Sequence, residues 1–65
     1  MTLSAVPPEL IGILDSSTVS DEDKAMINSF FASLDPAKRP DVMKEVRSRP
    51  VWRDKLNYVL SLVNQ

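Results

Sequence analysis

The sequence contains no cysteine and no histidine, and it has a single glycine. Without cysteine there is no disulfide and no thiolate ligand, and without histidine a structural zinc site lacks its usual ligand set. The same absences remove a cysteine nucleophile and the most common general base. The lone Gly12 cannot build a phosphate-cradling loop or a dinucleotide fingerprint. We therefore expect a protein that is not an enzyme, with no metal, no cofactor and no small-molecule substrate.

Long apolar runs and N-terminal positive charge are also missing. The longest nearly unbroken apolar stretch covers residues 10–14, far fewer than the roughly 18 residues that span a bilayer. No lysine or arginine precedes Lys24, so the N-terminus lacks the positive region of a signal peptide. Together with the missing cysteine, these features predict a soluble intracellular protein of the cytoplasm that has no membrane partner.

The length of 65 residues allows one domain, residues 1–65, in which we expect residues 1–6 to be a flexible N-terminus. Hydrophobic residues make up 43% of the chain, which is close to the value for ordinary globular proteins. A core built by so short a chain is small. Because no disulfide or metal is expected, stability has to come from helix packing or from association with a partner.

The apolar residues recur with helical rather than strand spacing, and the five prolines stand near segment starts. This pattern predicts a compact all-α array of three to four short helices, approximately at residues 7–15, 20–34, 40–48 and 50–63. Within the first helix, Gly12 lowers helix stability by up to about 1 kcal/mol relative to alanine. We expect a neighbouring helix to approach closely at that position.

The second helix has the clearest sequence signals. Ser20 is a preferred N-cap residue, and the three acids that follow it complement the positive end of the helix dipole. Three consecutive acids are typical of a first helical turn, whereas a calcium loop alternates its ligands around a glycine. One apolar stripe follows and predicts the stability anchor of the fold; it consists of Ile27, Phe30, Phe31 and Leu34. The pair Asp35-Pro36 ends this helix.

The last two helices supply the rest of the predicted core. Val42, Met43 and Val46 are expected to face inward from the third helix. The main apolar face of the fourth helix consists of Trp52, Leu56, Val59, Leu60 and Val63. On a helical wheel the fourth helix carries a second apolar stripe, formed by Val51, Tyr58 and Leu62, with Lys55 between the two stripes.

Two interpretations of this second stripe remain open. In the first, the fourth helix is central and buried on two sides, and Lys55 lays its stem on the core with its ammonium in water. In the second, Val51, Tyr58 and Leu62 face a partner, and Arg47, Arg53 and Lys55 form a basic rim around them. Small domains seldom leave a contiguous apolar patch exposed without using it. The second interpretation predicts a partner-binding site at these six residues.

Charge is distributed unevenly along the chain. Residues 1–37 carry six acidic residues and one basic residue, whereas residues 38–65 carry seven basic and three acidic residues. Such an asymmetry steers partners, or it reflects attraction between the two halves of the fold. The basic segment 38–55 also suits nucleic acid, and its candidate phosphate contacts are Lys38, Arg39, Lys44, Arg47, Arg49 and Arg53.

Three observations count against nucleic acid as the ligand. The isoelectric point is about 5.1, and nucleic-acid-binding domains are usually strongly basic. The only aromatic residue of the basic segment, Trp52, is expected in the core. Asp41–Lys44 and Glu45–Arg49 have the spacing of ordinary pairs on a helix surface.

The sequence as a whole predicts a small, non-catalytic protein–protein interaction module with an adaptor, docking or subunit role. Its partner is another protein or a second copy of the chain in a homodimer. A nucleic-acid-binding or transcription-regulatory helical protein is the alternative. A third class is a structural subunit that is stable only in a larger assembly.

Overall fold

The computed structural model describes residues 3–16 and 18–65, and that part of the chain is all-α, as predicted. It contains no strand, and none of its helices is long and apolar enough to cross a membrane. A 3-10 turn at Pro36–Lys38 joins the second helix to the third. The four helices are α1 (Pro8–Ser16), α2 (Asp21–Ser33), α3 (Arg39–Ser48) and α4 (Trp52–Val63).

Local chemistry sets both ends of α2. The Ser20 hydroxyl accepts a hydrogen bond of 3.1 Å from the backbone N–H of Asp23, which confirms the predicted N-cap. At the other end, Leu34 leaves the helical conformation, with ψ at 136°. The Asp35 carboxylate then accepts a hydrogen bond of 3.0 Å from the N–H of Ala37 and opens the 3-10 turn. Proline after Asp35 therefore ends α2 as expected.

The start of α4 differs from the prediction. The helix begins at Trp52 rather than at Pro50, because Val51 is extended, with φ at −96° and ψ at 132°. Side chains of a helix lean toward its N-terminus and cover the preceding turn. Trp52 is the first residue of α4, has no preceding turn to cover, and is 46% exposed. The prediction that Trp52 belongs to the core is therefore wrong.

Every helix and the N-terminal segment contribute to the core. The helix α4 packs against α1, α2 and α3 and is the central helix of the array. Of its predicted apolar face, Val59 is buried, while Leu56, Leu60 and Val63 are half-buried against the core. The prediction for α3 is confirmed, because its predicted inward residues are buried or packed on the core. The buried hydrophobic residues of the described part of the chain are Val6, Leu10, Leu14, Ile27, Phe31, Met43, Val46 and Val59.

The exposed surface of the chain is that of an ordinary folded monomer. Its accessible area is 4219 Å². A folded monomer of 7.3 kDa is expected to expose about 4,200 Å². One copy of the chain therefore exposes a normal area for its size.

The N-terminal segment is packed rather than free from residue 3 onward. Val6 is buried, and Leu3 and Ala5 lie against the core. The Asn28 side chain on α2 accepts a hydrogen bond of 3.0 Å from the backbone N–H of Ala5, and the Arg39 guanidinium donates one of 3.2 Å to the carbonyl of the same residue. Within the predicted flexible N-terminus 1–6, these contacts involve residues 3, 5 and 6, and the backbone of Ala5 is hydrogen-bonded on both sides. Residues 1–2 lie outside the described residues.

Replacing Asn28 with alanine is expected to lower the free energy of unfolding by about 1–3 kcal/mol. The substitution leaves the partly buried N–H of Ala5 without its acceptor, and an unsatisfied donor costs about that much. Asn28→Asp is the matched control, because a carboxylate oxygen also accepts from that N–H. Urea unfolding of both variants checks the prediction. Equal losses in the two variants would show that the hydrogen bond to Ala5 does not matter.

Gly12 has no close neighbour, contrary to the expectation from sequence. A Cβ atom built on this residue meets nothing within 4 Å apart from its chain neighbours and the nearby backbone of α1. Its φ is not positive either, so the backbone conformation does not require glycine. Close packing within the chain therefore does not explain the glycine.

Candidate interaction surfaces

An apolar groove lies where α2, α3 and α4 meet. It encloses about 640 Å³. Its floor is formed by the half-buried side chains of Phe30, Leu34, Val42, Tyr58 and Leu62. Its rim is polar and carries both signs of charge; it consists of Lys38, Asp41, Lys44, Glu45 and Gln65. We call this surface the α2–α3–α4 groove. It brings together two of the three residues of the predicted partner-facing stripe.

Tyr58 is held in this groove by Arg49. The guanidinium carbon of Arg49 lies 4.2 Å from the centroid of the Tyr58 ring, within the range of a cation–π contact. The same guanidinium donates to the carbonyl oxygen of Glu45 at 2.8 Å and to its carboxylate at 3.1 Å. This confirms the predicted Glu45–Arg49 surface pair. Arg49 was not predicted as a neighbour of Tyr58, because the contact depends on how α3 and α4 pack.

The three residues of the predicted stripe differ in their surroundings. Tyr58 packs against the buried core, as the central-helix interpretation expects. Leu62 lines the groove but is not among the residues packed on that core. Val51 is 48% exposed and lies outside the groove. A helical wheel placed Val51 on the stripe, but Val51 precedes α4 and its extended backbone does not follow helical spacing.

The predicted basic rim lies elsewhere. Arg47 pairs with Glu9 of α1 through two hydrogen bonds of 3.1 and 2.6 Å. The hydrogen bonding to Glu9, and to a lesser extent the negative charge of Glu9, raise the pKa of Arg47. Arg53 lies over the Trp52 ring, with its guanidinium carbon 5.4 Å from the centroid. The Lys55 ammonium donates to the Val46 carbonyl at 2.8 Å.

Lys55 makes a contact that the sequence did not predict. The side chain is half-buried, and its charge lies at the C-terminal end of α3. The carbonyls in the last turn of a helix lack intrahelical partners and carry the negative end of the helix dipole. Lys55 therefore caps α3 and joins it to α4.

The bases proposed for nucleic-acid binding are divided among several surfaces. Lys38 and Lys44 line the α2–α3–α4 groove, whereas Arg39 and Arg47 line a depression beside the prolines of the N-terminal segment and of the 3-10 turn. Arg49 lies on a tyrosine and Arg53 on a tryptophan. Because Arg47 pairs with an acid of the other half of the chain, part of the charge asymmetry acts within the fold.

A second groove lies between α1 and the start of α4. It encloses about 490 Å³ and is lined by Glu9, Gly12, Ile13, Ser16 and Trp52. We call this surface the tryptophan groove. The sequence analysis missed it because it assigned Trp52 to the core. The available signal was Gly12, a helix-weakening residue on an otherwise apolar helix.

The two grooves offer a ligand apolar area and a few charged rim groups. Within residues 3–16 and 18–65, no group of three acidic side chains is arranged to hold a metal ion. A comparison of the chain with protein-family models, with curated proteins and with solved structures found no significant match.

Proposed function

We propose that this protein is a small, non-catalytic interaction module that binds an amphipathic helical segment of another protein. The observation that carries the proposal is the α2–α3–α4 groove, whose five half-buried apolar side chains come from three helices and from the residue that follows α2, and remain open to solvent. Grooves of this kind receive the apolar face of a helix through residues spaced at i, i+3, i+4 and i+7. An adaptor, docking or subunit role would use such a groove.

The charges of the rim indicate an acidic partner. Within the described residues, Lys38 and Lys44 take part in no ion pair, whereas the Glu45 carboxylate is already bound by Arg49. Two lysines and one carboxylate, Asp41, are thus left for a partner. Charge complementarity across an interface speeds association and disfavours wrong partners. We therefore expect the bound helix to carry acidic residues beside its apolar face.

Leu62 is the residue that tests this groove most cleanly. It lines the floor without packing on the buried core, so a polar replacement is expected to leave folding nearly unchanged. Helical peptides are selected from a displayed library on the purified protein, and the best peptide is then titrated. Leu62→Glu is expected to weaken its binding at least about 10-fold, as loss of an anchor side chain does. Asn57→Glu, on an exposed position of α4 outside the groove, is the matched control.

Two results would contradict the proposal. One is a selection that yields no peptide, or yields peptides whose affinity Leu62→Glu and Asn57→Glu change equally. The other comes from titrating labelled duplex and single-stranded oligonucleotides at low salt. Binding that weakens steeply as salt rises, and that is lost in Arg49→Glu/Arg53→Glu, would favour the nucleic-acid alternative instead.

A further inference from the structure

We propose that Arg49 is a positioning residue of the α2–α3–α4 groove. Its guanidinium fixes the Tyr58 ring as part of the groove floor, and the affinity for the partner helix depends on this although Arg49 does not itself line the groove. The inference rests on the function proposed above, and it names the residue that orders the binding site before the partner arrives.

The first argument is that Arg49 is itself fixed at the C-terminal end of α3. Its backbone N–H donates to the Val46 carbonyl at 3.2 Å. Pro50 follows it and keeps its backbone extended, with φ at −97° and ψ at 115°. Its guanidinium donates to the carbonyl oxygen of Glu45 at 2.8 Å and to the carboxylate of the same residue at 3.1 Å. Both ends of the Arg49 side chain are therefore held by α3.

The second argument is that no hydrogen bond sets the direction of the Tyr58 ring. Its hydroxyl has no hydrogen-bond partner among residues 3–16 and 18–65, and it reaches solvent. A tyrosine within a helix has two common χ1 rotamers, which send the ring in different directions. The guanidinium carbon of Arg49, 4.2 Å from the ring centroid, favours the rotamer in which the ring lies beside the C-terminal end of α3.

The third argument is that the charge of Arg49 is already paired. Because the Glu45 carboxylate binds it, Arg49 adds little to the attraction for an acidic partner, which comes from Lys38 and Lys44 on the rim. What Arg49 supplies is a planar group that lies on an aromatic face while its N–H groups remain hydrogen-bonded. A lysine ammonium does not provide this combination.

Order in the free groove affects the affinity for the partner. A side chain that is mobile before binding has to be immobilised on binding, and the lost entropy weakens the complex. With Arg49 on its ring, Tyr58 is already in the position in which it lines the groove with Leu62. Arg49 therefore acts on the partner through Tyr58 and not through a contact of its own.

Titration of the helical peptide selected on the unmodified protein tests the proposal. Arg49→Lys keeps the positive charge and removes the planar group, and we expect it to weaken peptide binding about 3- to 10-fold. Arg53→Lys is the matched control. Arg53 also lies over an aromatic ring of α4, at 5.4 Å from the centroid of Trp52, but neither residue lines the α2–α3–α4 groove. This variant is expected to leave the affinity unchanged.

Tyr58→Leu determines whether Arg49 acts through the ring. Leucine keeps an apolar side chain against the core and removes the aromatic face. In this background Arg49→Lys is expected to change peptide affinity by less than about 2-fold, because the effects of residues that act through one another do not add. If Arg49 contacted the peptide directly, Arg49→Lys would weaken binding by the same factor in both backgrounds, and that result would overturn the proposal. Thermal melts of each variant verify that it is folded.

Proton NMR of the free protein tests the positioning of Tyr58 without any peptide. Protons of the Arg49 side chain that lie over the ring are expected to resonate upfield of their positions in Tyr58→Leu, because the ring current shields them. The ring signals of Tyr58 are expected to shift in Arg49→Lys and to stay in place in Arg53→Lys. Spectra without these differences would show that Arg49 does not hold the ring, and would overturn the proposal whether or not a peptide binds.

The outcomes separate this inference from the proposed function. Peptides whose binding is weakened by Leu62→Glu but not by Arg49→Lys would overturn the inference and leave the proposed function standing. Equal weakening by Arg49→Lys and Arg53→Lys would also overturn it, because the loss would then not depend on Tyr58. A selection that yields no peptide would overturn the proposed function and, with it, the dependence of affinity on Arg49.

Discussion

Replacing Phe31 with alanine is expected to leave the chain largely unfolded at room temperature. Phe31 is 1% exposed and is the largest fully buried side chain of the core. Aromatic-to-alanine substitutions in a core cost about 3–5 kcal/mol, because the lost transfer energy adds to the cost of the cavity. A single core of this size rarely supplies more than about 3–5 kcal/mol of stability. The expected loss is therefore as large as the whole free energy of unfolding.

Phe30→Ala is the matched comparison for this substitution. The two rings are in contact, with centroids 5.3 Å apart and planes at 78°, but Phe30 is only half-buried and lines the α2–α3–α4 groove. Phe30→Ala is expected to lower the free energy of unfolding by less, about 1–3 kcal/mol. Less apolar area returns to water, and the space left by the ring is open to solvent, so no closed cavity forms. Circular dichroism melts of both variants provide the measurement. A cooperative melt of Phe31→Ala near the temperature of the unmodified protein would contradict the prediction.

Replacing Leu14 with alanine is expected to lower the free energy of unfolding by about 2–5 kcal/mol. Leu14 is 1% exposed and, with Leu10, anchors α1 in the core. A helix of nine residues is not stable alone, so α1 depends on these contacts. Without α1, the core side chains that it covers are exposed to solvent, and the remaining helices cannot cover them. The expected result is unfolding of the whole domain rather than of α1 alone.

Ile13→Ala tests whether the buried face of α1 is the one described. Ile13 is next to Leu14 but is only half-buried, at the edge of the core and beside the tryptophan groove, so its loss is expected to cost about 1 kcal/mol. Urea unfolding, analysed by linear extrapolation, measures both changes. Equal losses for the two substitutions would show that α1 packs through a different face.

The parts of the fold that were predictable from sequence are those with local causes. Ser20 and Asp35-Pro36 mark the two ends of α2 within about one residue, because capping and the steric effect of proline act between neighbours. The inward face of α3 followed from helical periodicity, and Met43 and Val46 are buried as predicted. Periodicity succeeded there because those residues lie within the helix, where each position has a defined direction.

The candidate sites were less predictable, because they depend on contacts between segments. Tyr58 and Leu62 do line one groove, but the lysines on its rim come from the 3-10 turn and α3 and not from the predicted set. Arg47 of α3 instead pairs with Glu9 of α1, 38 residues away in sequence. A helical wheel gives the direction of each side chain around one helix axis, but it does not show which residue of another helix a charged side chain will contact.

The sequence by itself determined the all-α class, the ends of α2 and the absence of cysteine and histidine chemistry, since these depend on composition and on neighbouring residues. Only the tertiary structure decided which apolar residues remain exposed on the surface instead of joining the core. Trp52 is exposed at the first position of α4, and Gly12 is open because no side chain of another helix reaches the position of its Cβ. Burial is a property of how helices are arranged in space, and local spacing along the chain does not contain that arrangement.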